Sequence, residues 1–223
     1  MKLTQKTFAI LKNFSSINQS LYVYAGNRLK TVSETKTIIA EANVQEMFPR
    51  EFGVYDLNQF LGIVSLVDDP DLEYNDSHLT ICGQNGAKSD YFYAEKNTFR
   101  IVPSLDPFEL PDEYVTFDLT DSVVKSVMQA ANVLQLPEIG IIGDGTNIHI
   151  KALNSKNRTT NTFSYEVGKT NKVFTALFKV ENLKMMIGSY KVTLSKAKMA
   201  QFKSSDDTLK YTVVNEASSV FED

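Results

Sequence analysis

The sequence repeats one pattern, an amphipathic helix followed by strands in which apolar and polar residues alternate. Predicted helix starts lie at residues 4–7, 56–59, 120–122 and 181–182. In the first three, a side chain that can cap free helical amides precedes apolar residues on one face. The alternating segments 146–152 and 190–195 predict strands with one buried face. The pattern predicts an α+β fold with the helices on one face of the sheets.

A proline-rich stretch divides the chain nearly in half. Residues 103–113 hold three of the six prolines, and proline lacks the amide donor that a strand ladder requires. We therefore predict a first domain at residues 1–103, a linker at 104–113 and a second domain at 114–223. Each half reads as two strand–helix–antiparallel-strand units. An ordinary pair of α+β domains without internal symmetry remains the alternative.

The cysteine count and the lengths of the apolar runs indicate a reducing, aqueous compartment. Cys82 is the one cysteine of 223 residues, which excludes an internal disulfide framework. The first residues lack the apolar core of a signal peptide. No apolar run approaches the roughly 20 residues that span a bilayer. We expect a cytoplasmic protein without a membrane partner.

Charge is unevenly distributed along the chain. Residues 1–33 carry five basic residues and no acid, and residues 169–203 carry eight lysines and one glutamate. Residues 34–168 hold nine basic and 21 acidic residues, and the whole chain has a net charge of -4. This segregation is compatible with one basic and one acidic surface, although uneven sampling of solvated surface would give the same counts.

The chain offers little for catalysis or metal binding. Two histidines and one cysteine cannot form a zinc site of the usual Cys/His kind. The acidic run at residues 68–76 lacks the glycine and the closing glutamate of a calcium loop, so a solvated turn is the favoured interpretation. Gly143, Asp144 and Gly145 have neither the lysine nor the spacing of a phosphate loop. We predict no metal, no cofactor and no catalytic residue.

Several short segments resemble the sliding clamp of T-even type bacteriophages, a DNA polymerase processivity factor. The likeness is specific in the first 70 residues and diffuse afterwards. It is carried by Lys2, Leu3, 11–14, Ile17, Asn18, 40–43, 55–58, 60–63 and 65–67, and more weakly by 134–136, 188–191 and 209–211. The resemblance implies two similar domains of the DNA-clamp fold and a homotrimer closed head to tail into a ring, with four helices per subunit lining the hole.

The resemblance also implies partners and a DNA-facing surface. Duplex DNA would be encircled without sequence reading, and a replicative DNA polymerase and an ATP-dependent clamp loader would bind the ring, with transcription factors as further partners. The compartment would be the cytoplasm of the infected bacterial host. Helix faces opposite the apolar stripes, together with one turn, supply the DNA-facing candidates Lys6, Lys12, Lys125, Gln129, Asn132, Lys184, Lys196 and Lys198.

Two further surfaces follow from the family topology. A strand around residues 99–102 would pair with residues 173–178 of the next subunit, which gives the interface candidates Phe99, Ile101, Val173, Phe174 and Leu177. A partner peptide would enter a groove near the linker, with the candidates Leu110, Pro111, Tyr114, Thr212 and Val214. Packing within the chain is the competing interpretation for each groove residue.

Two other classes of function stay open from the sequence. One is a structural or assembly protein of a phage particle, which would also be β-rich and oligomeric. The other is an enzyme that works through the carboxylates near residues 68–76, in which Asp69 and Asp71 would be essential.

Overall fold

The computed structural model describes residues 1–157 and 159–222. The chain divides into two compact units, Met1–Asp106 and Pro107–Asp223, and their boundary falls within the predicted linker. The helices of the described residues are α1 (Gln5–Ile17), α2 (Leu57–Leu66) and α3 (Asp121–Val133). The strands are β1 (Leu21–Val23), β2 (Gly26–Val32), β3 (Ile38–Phe48), β4 (Phe52–Val54), β5 (Asp71–Tyr74), β6 (His78–Cys82), β7 (Lys88–Phe92), β8 (Glu113–Leu119), β9 (Glu138–Asp144), β10 (Asn147–Leu153), β11 (Phe163–Lys169), β12 (Val173–Lys179), β13 (Tyr190–Ser195), β14 (Met199–Ser204), β15 (Leu209–Val214) and β16 (Val220–Phe221).

Capping side chains begin the first two helices, as the sequence predicts. The Thr4 hydroxyl accepts the Thr7 N–H at 3.2 Å, and the Asp56 carboxylate accepts the Gln59 N–H at 2.9 Å. The hydrogen bond from Gln59 holds the pKa of Asp56 below its usual value. These contacts satisfy amides that have no partner inside the helix.

A buried carboxylate secures the start of α1. Glu46, on β3, accepts hydrogen bonds from the Thr4 N–H and from the Thr7 hydroxyl. Burial on its own raises the pKa of Glu46, but these hydrogen bonds outweigh burial and hold it below its usual value. The charged carboxylate therefore joins the helix start to the sheet.

In the first unit, α1 and α2 pack against each other, and α1 also covers β3. Strands β2 and β3 pair antiparallel, as do β1 and β4, and β5, β6 and β7 form a three-stranded antiparallel sheet. The helices bury Phe14, Leu57 and Phe60 among the core side chains. This arrangement leaves the opposite faces of both helices in solvent.

In the second unit, α3 packs over β9, β10 and β11. One antiparallel sheet has the order β11-β10-β9-β12-β16, and β8, β13, β14 and β15 pair in the other. The hairpin predicted at Asp144 and Gly145 is present, with Gly145 at a φ of +87°. Only glycine adopts that angle readily, which fixes the two-residue turn.

The prediction of a fourth helix is wrong. A single 3-10 turn, Val180–Asn182, replaces it, and residues 183–189 are irregular. Two tyrosines take the backbone groups that a helix would use: the Met186 N–H donates to the Tyr211 hydroxyl, and the Tyr190 hydroxyl donates to the Met186 carbonyl. The segment between β12 and β13 has ten residues and no side-chain cap at its start. A helix that short is too weakly stable to outweigh these contacts.

The strand predicted around residues 99–102 is also absent. Phe99 instead packs its ring on Tyr22, with centroids 5.7 Å apart, and lies over Gly53. A Cβ at Gly53 would come within 2.6 Å of the Phe99 ring, so the glycine makes this approach possible. Phe99 and Ile101 are partly buried residues of an irregular segment and present no strand edge.

Candidate functional site

The solvent-facing side of α1 is basic. Lys6 and Lys12 are exposed there, opposite the buried Ile10, Leu11 and Phe14. The exposed side of α2 carries no lysine or arginine: it presents Asn58, Gln59, Gly62 and Ser65. On α3 the residues Lys125, Gln129 and Asn132 are all exposed on one face. The exposed sides of α1 and α3 thus present a few positive charges among polar side chains.

The remaining lysine candidates lie outside the α-helices. Lys184 is exposed in the irregular segment that replaces the predicted fourth helix. Lys196 and Lys198 lie in the turn between β13 and β14. The Lys196 ammonium lies 5.2 Å from the centroid of the Tyr114 ring, and the Lys198 ammonium donates to the Ala217 carbonyl. The structure therefore places Lys196 against Tyr114 and Lys198 against Ala217.

Each unit has an edge strand with an exposed aromatic side chain. In the first unit, β7 is the outer strand of its sheet, and Phe92 at its end is 69% exposed. In the second unit, β11 is the outer strand, and Tyr165 on it is 38% exposed. Outer strands present unpaired main-chain groups to any strand that can join them. Sequence reasoning missed both edges, although Phe163, Tyr165 and Val167 alternate with polar residues on β11.

The predicted interface strand β12 has no free edge along most of its length. It pairs with β9 on one side and with β16 on the other. Phe174 and Leu177 are buried, and Val173 is 41% exposed. In this chain, residues 216–222 lie along that edge. Subunit pairing through residues 173–178 stays a prediction.

A β-bulge redirects Tyr114. The pairing of β8 with β13 shifts register between Leu194 and Ser195, which leaves Tyr114 without a partner position. The bulge turns its ring toward Phe174 and Phe221, at centroid distances of 5.8 and 5.4 Å.

Tyr114 therefore lies apart from the other groove candidates. Val214, Met199, Ser195 and Glu113 form one row across four strands. Three interstrand steps separate Val214 from the start of β8 by about 14 Å. Leu110 and Thr212 are buried, and the Pro111 carbonyl accepts a hydrogen bond from Ser195. Val214 is 36% exposed and lies at the end of β15.

Two carboxylates of the acidic run at residues 68–76 bind other groups of the chain. The Asp69 carboxylate binds the Lys2 ammonium and the Gln84 amide, and Asp71 binds the amino group of Met1. The contacts with Lys2 and with Met1 hold the pKa values of Asp69 and Asp71 below their usual values. Among residues 1–157 and 159–222, no group of three or more His, Cys, Asp or Glu side chains is placed to hold a metal ion. No helix in this part of the chain is long and apolar enough to cross a membrane.

The chain is similar in sequence to known phage proteins over nearly its whole length. The profile of the family described as DNA polymerase processivity factor matches residues 2–98. The sliding clamp of Vibrio phage KVP40 is 31% identical over 97% of this chain and 100% of its own length. The sliding clamp of Enterobacteria phage T4 is 29% identical, with 98% of each chain covered.

Solved structures share the fold at much lower identity. A PCNA of A. fulgidus, solved with the C-terminal region of FEN-1, has a TM-score of 0.72 at 13% identity, with 98% of each chain covered. PCNA from Thermococcus kodakaraensis has a TM-score of 0.70 at 11% identity, with 95% of this chain and 96% of that chain covered. These likenesses establish the fold: two similar α+β units of the clamp type.

Proposed function

Because the chain belongs to the phage sliding clamp family, whose members are DNA polymerase processivity factors, we propose that it closes into a homotrimeric ring around duplex DNA. The ring would hold the replicative polymerase on its template by topology, without catalysing a reaction. A role as a structural or assembly protein of a phage particle is not favoured, since the named relatives are sliding clamps.

Ring closure is supported by the presence of two different edge strands, β7 and β11, on one chain. Head-to-tail closure needs two unlike surfaces that complement each other, in contrast to a two-fold dimer. Edge strand β7 offers the exposed Phe92 with Lys88 and Asp90, and edge strand β11 offers the exposed Tyr165 with Glu166. We assign the subunit interface to β7 and β11 in place of residues 99–102 and 173–178.

The DNA-facing surface would be the exposed side of the helices. Lys6 and Lys12 of α1 and Lys125 of α3, with Gln129 and Asn132, supply diffuse positive charge in a chain of net charge -4. Such charge offsets the repulsion between an acidic ring and the phosphates, and sparse contacts let the duplex slide. The described residues of three subunits would contribute nine α-helices and three copies of the irregular segment that carries Lys184.

The remaining assignments rest on the family. A DNA polymerase, an ATP-dependent clamp loader and transcription factors are the proposed protein partners, and the cytoplasm of the infected bacterium is the proposed compartment. For the peptide groove, Leu110, Pro111, Thr212 and Val214 remain the proposed residues. Tyr114 belongs to a separate cluster with Phe174 and Phe221.

Charge reversal tests the DNA-facing assignment. The triple variant Lys6→Glu, Lys12→Glu, Lys125→Glu should shorten polymerase products on primed circular DNA at moderate salt, because the duplex would meet six fewer units of positive charge per subunit. Trimer mass should stay unchanged. The matched control is Lys36→Glu, Lys156→Glu, Lys191→Glu, which makes the same charge change at exposed positions outside the helices. Equal product lengths from both triples would refute the assignment.

A further inference from the structure

The sheet of β11, β10, β9 and β12 has a cleft on the face that α3 does not cover. Ile141, Ile150 and Phe178 are buried and line one interior space together with Val127 of α3. Because side chains alternate along a strand, the residues between them lie on the other face. The cleft on that face has a volume of about 400 Å³ and is lined by β9, β10, β12 and the loop between β10 and β11. Its size is typical of small-molecule sites.

A glycine leaves the centre of this face without a side chain. Gly140 pairs with Lys151 on β10 and with Leu177 on β12, so two interstrand steps of about 5 Å separate those residues. Side-chain atoms of Leu153, Ile142 and Leu177 lie 2.9–3.4 Å from the position that a Cβ of Gly140 would take. The cleft therefore has an apolar floor, with Lys151 on one side of it.

Lys151 gives the cleft a positive charge that the chain does not neutralise. It is the only charged side chain among the described residues that line the cleft. The side chain is partly exposed, and its ammonium has no hydrogen bond or ion pair within the described part of the chain. Its partner position on the outer strand β11 is Ser164, which carries no charge.

Carboxylates elsewhere on this face bind other groups. Glu138 accepts the Ser155 N–H at 2.7 Å, and Glu166 binds the Lys169 ammonium at 3.0 Å. Asp144 accepts main-chain N–H groups of its own turn. None of these three carboxylates is among the described residues that line the cleft. The field inside the cleft is therefore set by the lysine, and it favours an anion.

The polar groups that line the cleft are left as hydrogen-bond donors. The side-chain oxygens of Asn154 and Asn157 accept N–H groups of the loop residues that follow them. Because each oxygen is used in this way, the NH₂ group of each amide is what remains for a ligand. The hydroxyls of Thr162 and Thr175 have no hydrogen bond to other described residues, so both can donate.

We propose that this cleft binds a small organic phosphate, which is a phosphate monoester with an apolar body. The phosphate lies beside the Lys151 ammonium and accepts hydrogen bonds from Thr162, Thr175 and the Asn157 amide. Its three terminal oxygens match donors that come from β10, β12 and the loop, whereas a carboxylate has only two oxygens. The apolar body covers Leu153 and Leu177. This ligand site goes beyond the tethering of a polymerase and depends neither on DNA nor on ring closure.

Isothermal titration calorimetry of the full chain with phenyl phosphate tests the site. The wild type should bind phenyl phosphate saturably, inorganic phosphate more weakly because it has no apolar body, and phenol not at all because it has no anion. Lys151→Met keeps an unbranched side chain but removes the charge, so it should weaken phenyl phosphate binding about tenfold or more. Thr175→Val removes one neutral donor and should weaken binding by about two- to tenfold.

A matched lysine variant and a second anion provide the controls. Lys191→Met removes an exposed lysine from β13, in the other sheet, and should bind as the wild type does. Benzoate carries a carboxylate on the same ring and should bind more weakly than phenyl phosphate. Each variant should keep the wild-type circular dichroism, and Thr175→Val decides the outcome if Lys151→Met does not fold.

Three results would overturn the proposal. The first is no saturable binding of phenyl phosphate to the wild type. The second is equal weakening by Lys151→Met and Lys191→Met, or no weakening by either Lys151→Met or Thr175→Val, because the anion would then be held by general charge or at another place. The third is tighter binding of benzoate than of phenyl phosphate, which would make the cleft a carboxylate site.

Discussion

Replacement of Phe92 by alanine should weaken ring closure without affecting the fold of the subunit. A phenylalanine side chain buries about 150–250 Å² when it is fully covered. Phe92 is 69% exposed in the isolated chain, which leaves about 100–170 Å² for a neighbouring subunit to cover. At about 25 cal/mol per Å² this corresponds to about 2.5–4 kcal/mol for each interface, or roughly a hundredfold or more in its dissociation constant.

Sedimentation velocity across a dilution series measures this effect. The wild type should sediment as a trimer at concentrations where Phe92→Ala has dissociated, with unchanged circular dichroism. Leu66→Ala is the matched control, because Leu66 is 86% exposed but lies at the end of α2 and is not part of β7. If Phe92→Ala stays trimeric at every dilution that keeps the wild type and Leu66→Ala trimeric, β7 is not an interface strand.

Two further predictions concern stability. Gly143→Ala should lower the free energy of unfolding by about 1–3 kcal/mol in a denaturant titration, because the added Cβ would lie 2.3 Å from the Phe174 ring. At Gly62 on α2 an added Cβ would have no atom within 4 Å, so Gly62→Ala should raise the free energy of unfolding by up to about 1 kcal/mol. If Gly62→Ala were destabilising and Gly143→Ala stabilising, the packing described here would be contradicted. Glu46→Gln should cost about 1–2 kcal/mol at neutral pH by weakening the hydrogen bonds from Thr4 and Thr7. The pKa of Glu46 is lower in the folded than in the unfolded protein, so the carboxylate stabilises the fold above the unfolded pKa, and this stabilisation is lost as pH falls through the folded pKa. The free energies of unfolding of the wild type and of Glu46→Gln should therefore converge in acid. A difference that stays constant with pH would refute that role.

Local patterns in the sequence predicted much of the fold because local interactions determine it. The caps at Thr4 and Asp56 and the glycine turn at Gly145 each depend on residues within three or four positions. The fourth helix failed because Tyr190 and Tyr211 bind the backbone of Met186, and the chain pattern does not show that contact.

Interface and groove residues are harder to predict. They depend on which strand lies at an edge, and that is a property of long-range pairing. The bulge at Tyr114 and the strand formed by Val220 and Phe221 bring together residues more than 40 positions apart. The exposed lysines of α1 and α3 were accessible to prediction, because a single amphipathic period fixes which side of each helix faces solvent.

Retention on DNA of different topology tests the central claim most directly. The protein, loaded onto nicked circular DNA with its clamp loader and ATP, should co-elute with the DNA in gel filtration. After a restriction enzyme makes the circle linear, the protein should be lost from the DNA, and blocks bound at both ends should restore retention. Equal retention on circular and on open-ended linear DNA would show that the protein grips the duplex rather than surrounding it, which would contradict the account.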